Sequence, residues 1–151
     1  IMIDDDIGGF FPGWQEVLVQ PLLETPEIRM VSARLITPEG TCSPMMMSKY
    51  SIAEPLEFVR PATPSAAIAM RMKDIQGMFY DMAYIGSGFE DTDFCFQMLT
   101  KYPEGKLAVN NLCRLIHYHE MKEQNENYEH NKKIFENKWK DSPLLQEISH
   151  A

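Results

Sequence analysis

Ile1-Met2-Ile3-Asp4-Asp5-Asp6-Ile7 is the stretch on which the fold reading turns. Three apolar residues lead directly into three carboxylates. A short apolar run without alternation is the pattern of a strand end covered on both faces, as in a parallel sheet. In open α/β sheets ligands bind beyond the carboxyl ends of the strands, which is where the aspartates then fall. Gly8-Gly9 and Pro12-Gly13 predict a turn after them. Chain starts are usually polar and frayed, so an apolar opening leads us to expect residues ahead of Ile1.

Outward from that stretch, Trp14, Val17, Leu18, Pro21 and Leu22 fall near one face and predict a helix over 14–24, with Pro21 a defect within it. Residues 28–37 read as one strand or two, and 41–62 as a loop with short extended pieces, including the Met45-Met46-Met47 run. Residues 65–72 fit a strand or a strand leading into a helix, 73–78 a short helix ended by Gly77, and 84–88 a glycine-rich loop. Asp91-Thr92-Asp93 opens a helix to about Tyr102, with Asp93 expected as its cap. Residues 107–119 predict one or two short strands with Leu115, His117 and His119 on one face, and 120–140 a helix.

Composition narrows the function. The chain of 151 residues suits one domain with a real core, and 44% of it is hydrophobic. A net charge of −8 argues against a nucleic-acid binder, which needs a basic stripe to replace phosphate counterions. It is compatible with a small phosphorylated ligand if a divalent cation reverses the local sign. Cys42, Cys95 and Cys113 match no zinc spacing and read as reduced thiols of a cytoplasmic protein. No apolar run reaches the roughly 18 residues of a membrane span, so membrane association is expected only through regions outside this sequence.

Three ordered blocks resemble family 2 glycosyltransferases. Ile3-Asp4-Asp5-Asp6-Ile7 with Pro12-Gly13-Trp14 is similar to the family's strand-end Asp-x-Asp motif and the turn after it. Gly77-Met78-Phe79-Tyr80-Asp81 running into Gly88-Phe89-Glu90-Asp91-Thr92-Asp93 resembles its "GxFDE…GxEDxD" segment. His117-Tyr118-His119, followed by Asn131, Phe135, Lys138 and Trp139, resembles its late histidine strand and closing helix. The resemblance spans Ile3 to about Trp139. Gln97 departs from it, standing where the family usually has an arginine, and the family's first nucleotide-binding strands have no counterpart.

The resemblance implies an α/β, GT-A-like (Rossmann-like) mixed sheet flanked by helices, lacking those N-terminal strands, with residues 1–151 as a single glycosyltransferase-like domain. It implies an inverting transferase moving a sugar from a UDP- or dTDP-sugar donor to a glycan or lipid-linked acceptor. Mn²⁺ or Mg²⁺ would neutralise the leaving diphosphate. Asp6 would ligate it and Asp4 would lie near the metal or the ribose. Asp91 would be the general base, and Glu90 would position acceptor or sugar.

Local chemistry leaves alternatives beside each role. Asp4 and Asp6, two apart on a strand end, would point the same way, yet a solvated acidic turn reads identically. Asp5 would point away or support them. His117 and His119 are candidates for a further metal ligand, since neutral imidazole accepts Mn²⁺; either is equally a structural strand histidine. The small run Pro64-Ser65-Ala66-Ala67 would lie under a donor sugar, where bulk is excluded, or belongs to a tightly packed strand. Asp81 could hydrogen-bond a sugar or its own loop, and Tyr84 and Phe89 could stack on a sugar ring or belong to the core. Rival functions are a catalytically inactive glycosyltransferase-like scaffold and a metal-dependent phosphotransferase or hydrolase.

Overall fold

The computed structural model describes residues 1–43, 54–118 and 127–148. Along the chain run β1 (Met2–Ile3), β2 (Ile7–Gly8), α1 (Trp14–Glu24), β3 (Ile28–Ile36), β4 (Leu56–Val59), β5 (Ala67–Met70), α2 (Glu90–Lys101), β6 (Lys106–His117), α3 (Tyr128–Trp139) and α4 (Pro143–Ile148). The strands form one mixed sheet in the order β1-β5-β3-β6-β2, with β4 also on β6. The result is a mixed α/β domain with a six-stranded sheet between helices.

Parallel pairing of β3 with β6 is the spine, and β5 runs antiparallel to β3. Side chains alternate across a strand, so Val31, Ala33, Leu35, Ala67 and Ala69 pack with Leu18 and Leu22 of α1. Met30, Ile68 and Leu107 meet Phe94, Phe96, Met98 and Phe135 of α2 and α3 on the other face. Coverage of both faces explains why β3 is buried almost end to end.

Pro21 does not break α1. It removes the N–H that would bond the carbonyl of Val17, and Nδ2 of Asn110, reaching across from β6, donates to that carbonyl at 2.7 Å. At the other end, the Arg71 guanidinium donates to the carbonyls of Leu22, Pro26 and Ile28 at 2.6, 2.8 and 2.6 Å, closing off the helix terminus.

Several expectations need correction. Ile1–Ile3 is not a covered parallel strand: β1 is antiparallel to β5 at a sheet edge, with Ile1 54% and Met2 41% exposed. Residues 73–78 form turns, not a helix, because their polar groups are committed to side chains from elsewhere. Asp74 takes Arg29 and Arg71, while Lys101 Nζ donates to the carbonyls of Asp74 and Gln76. Residues 106–117 make a single strand of 12 residues. The helix expected over 120–140 is, among the described residues, α3 from Tyr128, with α4 after it. The Met45–Met47 run and His119 lie outside the described residues.

The β3–β6 register shifts between Ala33 and Arg34, where β6 carries extra residues before Arg114. Arg34, fully buried, sits at this irregularity and donates to Asn111 Oδ1 at 2.7 Å and Glu57 Oε2 at 2.6 Å. Residues 3–7 join strands at opposite edges of the sheet, yet four residues span at most roughly 14 Å. The sheet must curl, bringing the opening aspartates to the carboxyl end of β6, where Ile7 pairs with His117.

Candidate active site

The opening triplet is a turn rather than a strand end. The Ile7 N–H donates to the Asp4 carbonyl at 3.3 Å, so Asp5 and Asp6 are its central residues and the i, i+2 alternation does not apply to them. The turn is pinned at both ends: Asp4 N–H donates to Ala66 O, and Tyr118 N–H to Asp6 O, each at 2.9 Å. Ile7 pairs with His117 in register, and His117 Nε2 stands 3.2 Å from Asp6 Oδ2. Gly9 keeps this approach close. Its φ is +71°, and an added Cβ would lie 2.8 Å from Ile116 Cγ1. Asp4 and Asp5 are exposed, Asp6 is half-buried and His117 is buried.

The second cluster is the first turn of α2. Gly88, with φ 111°, and Phe89, with φ 70°, swing the chain into the helix, and Glu90, Asp91 and Asp93 occupy its positive end. Thr92 donates to Asp91 Oδ1 through its N–H at 2.7 Å and its hydroxyl at 3.3 Å. Glu90 Oε2 is buried with no hydrogen-bond partner among the described residues.

The two clusters share one electrostatic neighbourhood. Burial first, and then the charges of Asp6 and Asp5, hold the Asp4 carboxyl above its ordinary value, while His117 opposes them. Glu90 and Asp91 are also raised, by burial first, with Asp4 among the charges that push each of them up. Asp91 and Glu90 are half-buried and Asp4 is exposed, so screening moderates the coupling. Tyr80, the neighbour of Asp81, belongs to the same group. The Tyr80 ring stacks on Phe94 at 4.7 Å, one helical turn beyond Glu90. Its hydroxyl is pushed up to about 12 by burial, then Cys95, Asp91, Asp4 and Glu90. Only the "FYD" run hinted at it.

Asp93 is not a cap. It is fully buried and accepts from Trp139 Nε1 at 2.7 Å, Gln97 Nε2 at 2.7 Å, Lys138 Nζ at 3.0 Å and the Tyr84 hydroxyl at 3.2 Å. Gln97 thus spends its amide within the fold, also donating to Phe79 O at 2.9 Å. Tyr84 is buried in this network, so its ring belongs to the core rather than to a sugar. Asp81 accepts from Lys138 at 2.8 Å and from the Ala83 N–H at 3.0 Å, which ties its own loop to α3.

A cleft of about 1110 Å³ opens beside α2. Asp91, Thr92 and Phe89 form one wall, residues 57–64 the facing wall, and α3 and α4 its length. Phe89 packs on Tyr128 and Phe135, each at 5.2 Å between ring centroids. Ala66, two residues beyond Pro64 of the cleft wall, accepts the Asp4 N–H through its carbonyl, while Asp4, Asp5, Asp6, Glu90 and His117 do not line the cleft. Thr63, missed from sequence, lines the cleft. A second cavity, of about 240 Å³, shares Phe58, Val59 and Arg60 with the cleft and touches none of the site residues expected from the sequence.

Among the described residues no group of three or more His, Cys, Asp or Glu could hold a metal by itself. Mg²⁺, however, is commonly taken up by one or two carboxylates together with substrate phosphates and water, and carboxylate oxygens likewise suit Mn²⁺. Asp6 and His117 offer one oxygen and one nitrogen donor side by side, which fits that mode of binding and not a closed cage. All three cysteines are free, and burial pushes the Cys95 and Cys113 thiols up to about 12 and about 11. Among the described residues no helix is long and apolar enough to cross a membrane.

No protein-family model matches the chain, and no curated protein or solved structure matches it.

Proposed function

We propose that this chain carries the metal- and acceptor-binding part of an inverting, nucleotide-sugar-dependent glycosyltransferase with the GT-A arrangement, acting in the cytoplasm or at the cytoplasmic face of a membrane. The observation that carries the reading is that burial raises the carboxyls of Glu90 and Asp91, and that Asp4, in the opening turn far back along the chain, lies near enough to add its charge to both. Asp91 in turn borders a cleft large enough for a saccharide.

On this reading Asp91 accepts the proton of the attacking hydroxyl. Its raised carboxyl makes it a stronger base than an ordinary aspartate. Glu90, with a buried oxygen to spare, holds a hydroxyl of acceptor or sugar. Ser65 and Ala66 leave room for the donor sugar. Asp6 and His117 are the residues that would hold Mn²⁺ or Mg²⁺, with Asp4 toward the ribose or the metal. A cation bound there would neutralise charge on the leaving diphosphate of a UDP- or dTDP-sugar.

Two variants test the division of roles. Asp91→Asn removes transfer, read as nucleoside diphosphate release dependent on acceptor, and keeps the thermal shift produced by UDP with Mn²⁺. Asp6→Asn weakens that shift. Equal loss of the shift in both variants would sink the assignment. Binding by the native chain without turnover on any acceptor would favour an inactive scaffold instead, and sugar-nucleotide hydrolysis without transfer would favour a hydrolase.

A further inference from the structure

Resting on the transferase reading, we propose that Thr63 determines which acceptor is taken. Its hydroxyl bonds a second hydroxyl of the sugar whose attacking hydroxyl stands at Asp91. Both residues line the cleft, Asp91 on the α2 wall and Thr63 on the wall formed by residues 57–64. One contact sets their spacing. The Cys95 thiol donates to the Thr63 carbonyl at 3.7 Å. Cys95 lies four residues beyond Asp91 in α2, and residues four apart share a helix face. Thr63 is therefore held about one helical turn from Asp91, about 6 Å along the axis. A single sugar ring bridges that gap.

Thr63 also has a hydroxyl to give. The residue is 3% exposed, and its Oγ1 is buried with no hydrogen-bond partner among the described residues. A buried hydroxyl left unbonded is costly, and folded proteins satisfy the large majority of such groups. Packing does not require the oxygen, because valine has nearly the same shape and no polar atom. Neighbouring polar groups of the lining are committed within the protein. Glu57 is taken by Arg34 at 2.6 Å and Arg60 by Glu147 at 2.7 Å. Thr92, unlike Thr63, spends its hydroxyl on Asp91 at 3.3 Å.

A threonine hydroxyl both donates and accepts. A sugar hydroxyl does the same, so the pair bonds in either sense, and shielding from water strengthens the bond. Discrimination follows from what happens without it. An acceptor that lacks the second hydroxyl leaves Thr63 unbonded, and a site built to bond a group rejects analogues that lack it. Thr63 touches the acceptor away from the reacting oxygen, so it governs binding and leaves proton transfer to Asp91.

The test is calorimetric titration of the whole chain with the methyl glycosides of glucose, galactose, mannose and N-acetylglucosamine, and with each monodeoxy derivative of the tightest binder. Thr63→Val should weaken that parent glycoside by roughly tenfold, the effect of stranding one hydrogen-bonding group. It should bring the parent level with one monodeoxy derivative, whose own affinity the substitution leaves unchanged. Thr63→Ser keeps the hydroxyl and should restore native affinity. Without ligand, Thr63→Val should be as stable as the native chain or more so. Lower stability overturns the proposal, because the hydroxyl is then already bonded in the unliganded chain. Equal affinity of native and Thr63→Val chains for every glycoside overturns it too, as does the absence of glycoside binding by the native chain. The titration uses no donor, so the two readings fail separately. Thr63-dependent binding without transfer from any nucleotide sugar overturns the transferase and leaves Thr63 as a saccharide-recognition residue. Transfer whose acceptor KM is the same in Thr63→Val overturns the proposal and leaves the transferase standing.

Discussion

Nδ2 of Asn110 donates a 2.7 Å hydrogen bond to the carbonyl of Val17, the oxygen that Pro21 leaves without its helical donor. Asn110 is 3% exposed and its Oδ1 accepts the Leu112 N–H at 3.0 Å, so the one side chain repairs α1 and braces the irregularity in β6. Asn110→Ala should cost about 1–3 kcal/mol in urea denaturation, the penalty for stranding buried polar groups. In a Pro21→Ala background residue 21 regains an N–H for Val17, and the same exchange should cost about 1 kcal/mol less. An identical cost in both backgrounds would show that the bond to Val17 carries no repair.

That pair also marks where reading a sequence stops. Helix α1 was legible to the residue, because the apolar spacing of Trp14, Leu18 and Leu22 is local. What makes Pro21 tolerable comes from 93 positions away and has no local signature. Residues 73–78 were misread for the same reason, since distant Arg29 and Lys101 decide where their polar groups go. At the site, the aspartates, Glu90 and His117 were visible as residue types able to do the chemistry. Tyr80 and Thr63 were not, because their place depends on how the loop before α2 and the residue 57–64 wall lie against that helix. The opening triplet shows the remaining gap: strand alternation was a sound rule applied to residues that the curl of the sheet turns into a bend.

Asp93 joins three parts of the fold through one buried carboxylate. Trp139 and Lys138 close it from α3, Gln97 from its own helix and Tyr84 from the loop before it. Asp93→Ala strands those donors and leaves Lys138 with Asp81 alone, which should cost about 3 kcal/mol. Trp139→Phe keeps an aromatic ring against Phe96 and removes the N–H, and should cost about 2 kcal/mol. Equal stability of the Asp93 variant and the native chain in chemical denaturation would remove the hub role.

Phe89 sets two opposed effects against each other. A non-glycine residue at φ 70° is strained by about 1–2 kcal/mol, which Phe89→Gly would relieve. The same exchange removes a half-buried side chain, worth only part of the about 1.5–3 kcal/mol of full burial, and two ring contacts worth about 0.5–1.5 kcal/mol each. Packing outweighs strain, so the variant should be less stable by about 1–3 kcal/mol. Its smaller side chain also widens the cleft beside Asp91. A more stable glycine variant would mean that the ring packs far less well than its 5.2 Å contacts indicate.

Asp4→Asn separates charge from burial at the site. Glu90 and Asp91 lie above their ordinary values of 4.5 and 3.8, through burial first and the Asp4 charge among the rest. The variant removes only the latter, so both carboxyls should titrate at lower pH by carbon NMR and still above their ordinary values. Stability follows with a definite sign. The unfolded chain releases these protons at the ordinary values while the folded chain retains them to higher pH. Folding then binds protons across that window, and stability falls as pH rises through it. Asp81 runs the other way. The hydrogen bond from Lys138 lowers its carboxyl, so its contribution is present above 3.8 and lost as pH falls through the lowered value. Asp4→Asn should accordingly raise Tm at neutral pH by a modest amount, because Asp4 is exposed and screened. The gain should shrink toward zero once pH drops below the carboxylate range, where Asp4 is itself neutral. A gain of the same size at both extremes would trace to the turn backbone, and the electrostatic link between the two clusters would fail with it.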